Sequence, residues 1–413
     1  MSPLTNIVPS APERLHALDA VRALALLLGI VLHATLSFVP ASPRFWIIQD
    51  THPSLVLGLL SFTIHVFRMT TFFLMAGFFA RMSFHRRGPW DFVKDRLQRI
   101  GLPLVIAWPL VFAPMALVVI WASGFPNGGL THPTSSWLPA LPNFPLTHLW
   151  FLYVLLELYV AMLLLRAAIV WLDASGTFRT VLDRLFARIM RNPLAPLVLA
   201  IPIGVAFSLD QRWISAMGVR TPDQSLVTNA QAWIGFGTAF GVGWLLHRQA
   251  DLLRILERRW LWNLLAAIGL ILISYLLAGV ITSAPGAPRL PFRSDTLRLV
   301  SVMLYAPAIW IATFAIIGVA LRFMSGFSPT RRYLADASYW LYLIHMPIVM
   351  ALQVALSQLD WPGLVKFDMI LIVAIPPMLA SYHLLVRFTF IGVVLNGRRA
   401  EKRILPQGGI ATA

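Results

Sequence analysis

The sequence predicts an all-α, polytopic integral membrane protein of about ten transmembrane helices, with both termini cytoplasmic. Three observations predict it. Of 413 residues, 58% are hydrophobic and 12% charged, whereas a soluble domain carries about a quarter charged residues. Apolar stretches long enough to cross a hydrocarbon core, about 20 residues each, recur along the whole chain. Lys and Arg between those stretches concentrate on alternate sides.

The first stretch, 18–39, contains DAVRALALLLGIVLH. Its apolar run is longer than a signal core and no small-x-small site follows, so a retained span is expected. The second, 55–80, carries HVFRM and FFLMAGFF; the third, 101–123, follows RLQRIGLP; the fourth, 148–171, opens on HLWFL. The fifth, 194–209, is short and interrupted by Pro196 and Pro202, which makes nine spans the competing count. Stretches 229–247, 260–282 and 299–322 follow; 338–357 contains YWLYLIHMP, and 367–395 is the last. The whole chain, 1–413, reads as one transmembrane unit, with a cytoplasmic N-terminal segment 1–17 and a tail 396–413.

Loop charge tests the count. One set of loops holds Arg81 to Arg99, Arg166 to Arg191, Arg248 to Arg259, Arg322 to Arg332 and Arg398 to Arg403. The other holds only Arg44, Arg212, Arg220, Arg289, Arg293, Arg298 and Lys366. The net charge of +16 is thus the excess expected of cytoplasmic loops, not a nucleic-acid footprint. The loop 124–147 has no charged residue and is rich in Pro and Gly, so it is a connector or a cover over a cavity. Cysteine is absent, which removes disulfides and thiolate chemistry. HExxH, GxSxG and P-loop motifs are missing and the histidines lack paired ligand spacing, so no metal is expected.

Ionisable groups inside spans cost about 2.5 to 3.5 kcal/mol on insertion scales, so each is a functional candidate. Arg22 and His33 are eleven residues apart, which puts them on one helix face about 16 Å apart. Counting at about 1.5 Å per residue from the cytoplasmic ends places His33, Arg68, Glu157 and His345 in one layer near mid-membrane. Each has a structural alternative: a packed interhelical histidine for His33, an Arg68–Glu157 ion pair, packing for His345, Tyr339 and Tyr342, and an i,i+3 pair for Asp19 and Arg22. Jointly they suit hydroxyl activation by a neutral imidazole in a low-dielectric cavity. Arg22, Arg96 and Arg99 suit donor phosphates, although topology alone also places arginines there.

These motifs resemble the membrane acyltransferase 3 family. Arg22 and His33 occupy its R-x10-H positions, RLQRIGLP is similar to its R-x-x-R-I-x-x-P element, and HLWFL and YWLYLIHMP resemble its fourth-helix and late Tyr-Leu-x-His-x-Pro segments. FFLMAGFF is similar to its FF-x-x-SGF segment with Ala76 in place of serine; neither Ala76 nor Glu157 matches the family pattern. The similarity runs from about 14 to about 350 and most resembles the branch that succinylates osmoregulated periplasmic glucans. It implies a bacterial inner-membrane enzyme moving an acyl group, succinyl first, from cytoplasmic acyl-CoA to glucan hydroxyls. No appended SGNH-type hydrolase follows, as expected of a stand-alone transferase.

The expected catalytic set is His33, Arg22 and His345. Substrate-binding candidates are Arg68, His65, Asp19, Glu157, Tyr342, His148 and Trp150; donor-binding candidates are Arg22, Arg96 and Arg99. Arg68 is the expected partner of a succinyl carboxylate, because a guanidinium matches a carboxylate bidentately. Membrane lipids, the saccharide acceptor and glucan synthesis proteins are the expected partners. Rival readings are an O-acetyltransferase of another envelope saccharide, a saccharide transporter and a non-catalytic scaffold.

Overall fold

A backbone in hydrocarbon must satisfy its own hydrogen bonds, which leaves helices as the means of crossing for a chain with continuous apolar runs. The computed structural model describes residues 11–40, 46–125, 128, 143–211, 213–283 and 295–397 and bears this out: these residues are 83% helical and contain no β-strand. Expectations for residues 1–10, for most of the 124–147 loop, for the tail beyond 397 and for Arg44, Arg212, Arg289 and Arg293 lie outside the described residues.

Each predicted stretch carries a helix. They are α1 (Ala11–Thr35), α2 (Leu55–Arg87), α3 (Pro89–Arg96), α4 (Leu102–Ala122), α5 (Trp150–Leu172), α6 (Thr177–Arg191) and α7 (Ala195–Leu209). The second half contributes α8 (Ala230–Arg248), α9 (Leu253–Arg258), α10 (Trp260–Ser283), α11 (Asp295–Phe323), α12 (Pro329–Ser357), α13 (Gly363–Ser381) and α14 (Phe390–Asn396). Among the described residues eight helices are long and apolar enough to span a membrane, or nine with the bent pair α6–α7. The remaining predicted stretch, 229–247, is α8, which packs against α2.

Three departures from the sequence reading have local causes. Helix α2 runs on to Arg87, beyond the expected 80, and stops where Gly88 takes φ 82°, a conformation open to glycine. The fifth stretch is the second arm of a 108° bend; Pro193 and Pro196 sit at the break, and α6 before it is amphipathic, with Arg184, Arg188 and Arg191 on its exposed side. Lys366, expected in an outer loop, lies in the first turn of α13 with 0% exposure, its Nζ 2.7 Å and 2.9 Å from the Asp50 carboxylate oxygens. A buried ammonium requires such a partner.

Helix α1 is central, packed against α2, α11, α12 and α13. Close approach of α2 and α8 rests on glycine: a Cβ on Gly77 would fall 2.0 Å from the Phe240 carbonyl oxygen, and one on Gly243 1.9 Å from that of Leu74. Small residues let helices pack this closely where no hydrophobic drive joins them in lipid.

Candidate active site

The site is built where α1, α2 and α12 meet. His33 Nδ1 lies 2.8 Å from His345 Nε2, and the two rings are nearly parallel at 15°. His345 Nδ1 donates to the Tyr342 carbonyl at 2.6 Å, since a carbonyl oxygen only accepts. His345 is 0% exposed.

His148 arrives from the 3₁₀ turn Thr147–Leu149 that leads into α5. Its Nε2 donates to the Leu343 carbonyl at 3.2 Å, and its own carbonyl accepts from the Tyr342 hydroxyl at 2.7 Å. The sequence explains the first bond: proline at 347 has no N–H, so the carbonyl four residues earlier, that of Leu343, loses its helical donor. The histidine of HLWFL thus fills a vacancy made by the proline of YLIHMP. Just before it, Thr147 has φ 53°, a strained value for a β-branched residue, and its N–H is held by the Asp223 carbonyl at 2.9 Å.

Arg68 is 5% exposed, and its Nε and Nη1 have no hydrogen-bond partner among the described residues. Its guanidinium lies over Gly29, one turn before His33: a Cβ there would sit 2.4 Å from Nη1 and 3.1 Å from the Tyr342 ring. Glu157 does not neutralise it. That carboxylate accepts from the Thr228 hydroxyl at 2.7 Å and pairs with no arginine among the described residues, so the alternative Arg68–Glu157 bridge is absent. A buried guanidinium without a counter-charge is costly unless an anion completes it.

The remaining predicted residues divide. Trp150 packs on Phe236 with ring centroids 5.5 Å apart and faces the aromatic core. His65 is tied to its own helix through Ser61, at 3.1 Å. Arg22 and Asp19 pair at 3.2 Å, Asp19 also meets Arg332 at 3.4 Å, and Arg22 lies over the Phe79 ring. Because α1 is unbroken, Arg22 stands about 16 Å along the axis from His33.

Arg96 and Arg99 each lie 3.0 Å from the buried Asp95 carboxylate, which Arg87 also contacts. One carboxylate therefore holds three guanidinium groups together with positive charge to spare. Arg99 sits in a π-helical turn, Leu97–Gly101, a form common at functional sites, and its carbonyl accepts from the Tyr339 hydroxyl at 2.9 Å. Among the described residues no cluster of three metal-ligating side chains occurs.

Two residues at the centre of the site escaped the sequence reading. The Trp46 indole stacks on His33 at 4° with centroids 5.9 Å apart, and its Nε1 donates to Gln353 Oε1 at 2.7 Å. Gln353 Nε2 donates to the carbonyls of His33 and Ala34 at 2.8 Å and 3.2 Å. These carbonyls lie where α1 tightens into the 3₁₀ turn Leu36–Phe38, so the buried glutamine satisfies groups that the helix end leaves open. Gln353 stands eight residues after His345, on the same helix face; an amide there within an apolar run was the available signal.

Comparison with known proteins places these features in a family. Residues 15–392 match the acyltransferase domain family. The chain is similar to glucans biosynthesis protein C of Shigella dysenteriae serotype 1, at 35% identity over 159 residues, 36% of this chain and 38% of that protein. Proteins of the same name from Escherichia coli O1:K1 and O157:H7 are 34% identical over the same shares. The matched stretch thus spans well under half the length of these relatives. No solved structure matches. With the domain match covering most of its length, the chain is a multi-pass helical membrane protein that belongs to the acyltransferase 3 domain family.

Proposed function

We propose that the protein is an acyl-CoA-dependent O-acyltransferase of the bacterial inner membrane that moves a succinyl group to hydroxyls of a periplasmic glucan. The single observation that carries the chemistry is the His33–His345 contact. His345 spends its Nδ1 proton on the Tyr342 carbonyl. With both rings neutral, His345 Nε2 accepts from His33 Nδ1, and His33 Nε2 is left with a free lone pair. That nitrogen is the general base.

In the proposed reaction His33 Nε2 takes the proton of the acceptor hydroxyl while its oxygen attacks the thioester carbonyl. The carbon–sulfur bond then breaks, and the proton passes from His33 to the departing thiolate, leaving acyl ester and free thiol. His345 and Trp46 hold the ring; Arg68 binds the distal carboxylate of succinate. Arg22 and the Arg87–Arg96–Arg99 cluster receive the donor phosphates at the cytoplasmic end, where both termini also lie. The relatives' name supports the glucan, and the uncompensated Arg68 favours a dicarboxylic acyl group over acetyl.

The test is mass spectrometry of envelope saccharides from cells with and without the protein. Loss of a succinyl increment from a glucan supports the proposal. Loss of an acetyl increment reassigns the donor, and unchanged saccharides refute the reading.

A further inference from the structure

Residues 46–52 connect the end of α1 to α2, yet they are held like part of a core. Ile47 and Ile48 are 3% and 1% exposed and pack among Val111, Met115, Met350 and Val354 of α4 and α12. Trp46 is bonded to Gln353, which in turn grips the backbone of His33. At the other end Asp50, 3% exposed, meets fully buried Lys366 of α13, and its N–H is held by the Ser37 carbonyl at 2.9 Å. A connecting loop normally lies on the surface because its polar groups need water. In this one the Trp46 indole N–H, the Asp50 N–H and the Asp50 carboxylate are answered inside the protein.

We infer that residues 46–52 are a fixed strap that lays Trp46 parallel to the His33 ring, and that Trp46 and the Asp50–Lys366 pair are positioning residues that hold this ring in place and keep water from competing with the acceptor hydroxyl. This rests on the proposed transferase reading. The indole, parallel to the imidazole, blocks rotation of the His33 ring away from His345. It also fills space beside the His33 ring that a smaller side chain would leave to water. Without it, water can replace the sugar hydroxyl: His33 takes a water proton, the oxygen attacks the thioester carbonyl, the carbon–sulfur bond breaks, and free acid and thiol result.

The experiment uses the full-length protein in detergent with labelled succinyl-CoA and glucan, reading free succinate against succinylated glucan. Trp46→Ala is expected to raise the hydrolysis-to-transfer ratio at least tenfold, while Trp46→Phe, which keeps a ring over His33, stays within threefold of wild type. Lys366→Met leaves a buried carboxylate without its counter-charge and is expected to lose transfer; adding Asp50→Asn restores most of it, because the pair is then removed as a unit. A lower transfer rate at an unchanged ratio in Trp46→Ala, or no rescue by Asp50→Asn, overturns the strap. If Trp46→Ala does not accumulate, Gln353→Leu takes its place, and a wild-type ratio there overturns the strap equally. Absence of transfer by the wild-type protein refutes the transferase reading instead.

Discussion

His33 and His345, 312 residues apart in sequence, share a hydrogen bond of 2.8 Å between Nδ1 and Nε2. The bond orients both rings and leaves one nitrogen of His33 for chemistry. A partner that only accepts at this position is enough to hold the tautomer. His345→Gln, whose amide oxygen accepts, is therefore expected to keep transfer within about tenfold of wild type, whereas His345→Leu loses about 100-fold or more. Rates with saturating donor check this.

Arg68 is predicted to select the donor. Arg68→Ala should lower succinyl transfer by about 10- to 100-fold, the range of a lost charged hydrogen bond, and leave acetyl transfer within a few-fold. Gly29→Ala should act in the same direction, since its methyl group would collide with Arg68 Nη1. Competition between succinyl-CoA and acetyl-CoA measures both; equal losses for the two donors contradict the assignment.

His148 and Pro347 are predicted to be energetically coupled. In Pro347→Ala a backbone N–H returns, and Leu343 regains a helical donor. His148→Ala should then cost less stability in that background than in wild type, by about 1 kcal/mol, the worth of one hydrogen bond. A double-mutant cycle on thermal unfolding in detergent gives the coupling; additive effects contradict it.

Much of this was legible in the sequence, and the limits have physical reasons. Hydropathy found each span, because lipid permits only one solution for an apolar run. The eleven-residue spacing of Arg22 and His33 and the histidine of YLIHMP marked candidates, since ionisable groups stand out in such a chain; the structure brings His33 and His345 into contact and leaves Arg22 about 16 Å along α1. Trp46 was invisible: a tryptophan in a short connector has no periodicity, and its meaning depends on Gln353 307 residues away. Lys366 was read by proximity to a loop, although its buried partner Asp50 precedes it by 316 residues. Asp95, which binds Arg96 and Arg99 into one cluster, has no signal of its own in the sequence, because a lone aspartate among loop arginines has the same pattern as a solvated charge.

The turn before α6 makes a pH-dependent prediction. Asp173 accepts from the backbone N–H groups of Arg179 and Phe178, each at 3.0 Å, and from Arg179 Nε. These bonds, the Arg179 N–H first, hold its carboxyl below the usual aspartate value. For a lowered carboxyl the stabilisation is present above the unfolded pKa and is lost as pH falls through the folded one. Hydrogen-exchange protection factors at residues 177–181, corrected for the intrinsic rate, should fall over that acid window in wild type and be low at all pH in Asp173→Ala; pH-independent protection in wild type contradicts the cap.

The central claim is that His33 activates the acceptor hydroxyl. Its most direct measurement is the appearance of label on glucan when purified protein in detergent, with no vesicle compartment, receives labelled succinyl-CoA. Labelled glucan is predicted with wild-type protein and a loss of at least 100-fold with His33→Ala. Label transferred by His33→Ala at the wild-type rate contradicts the account.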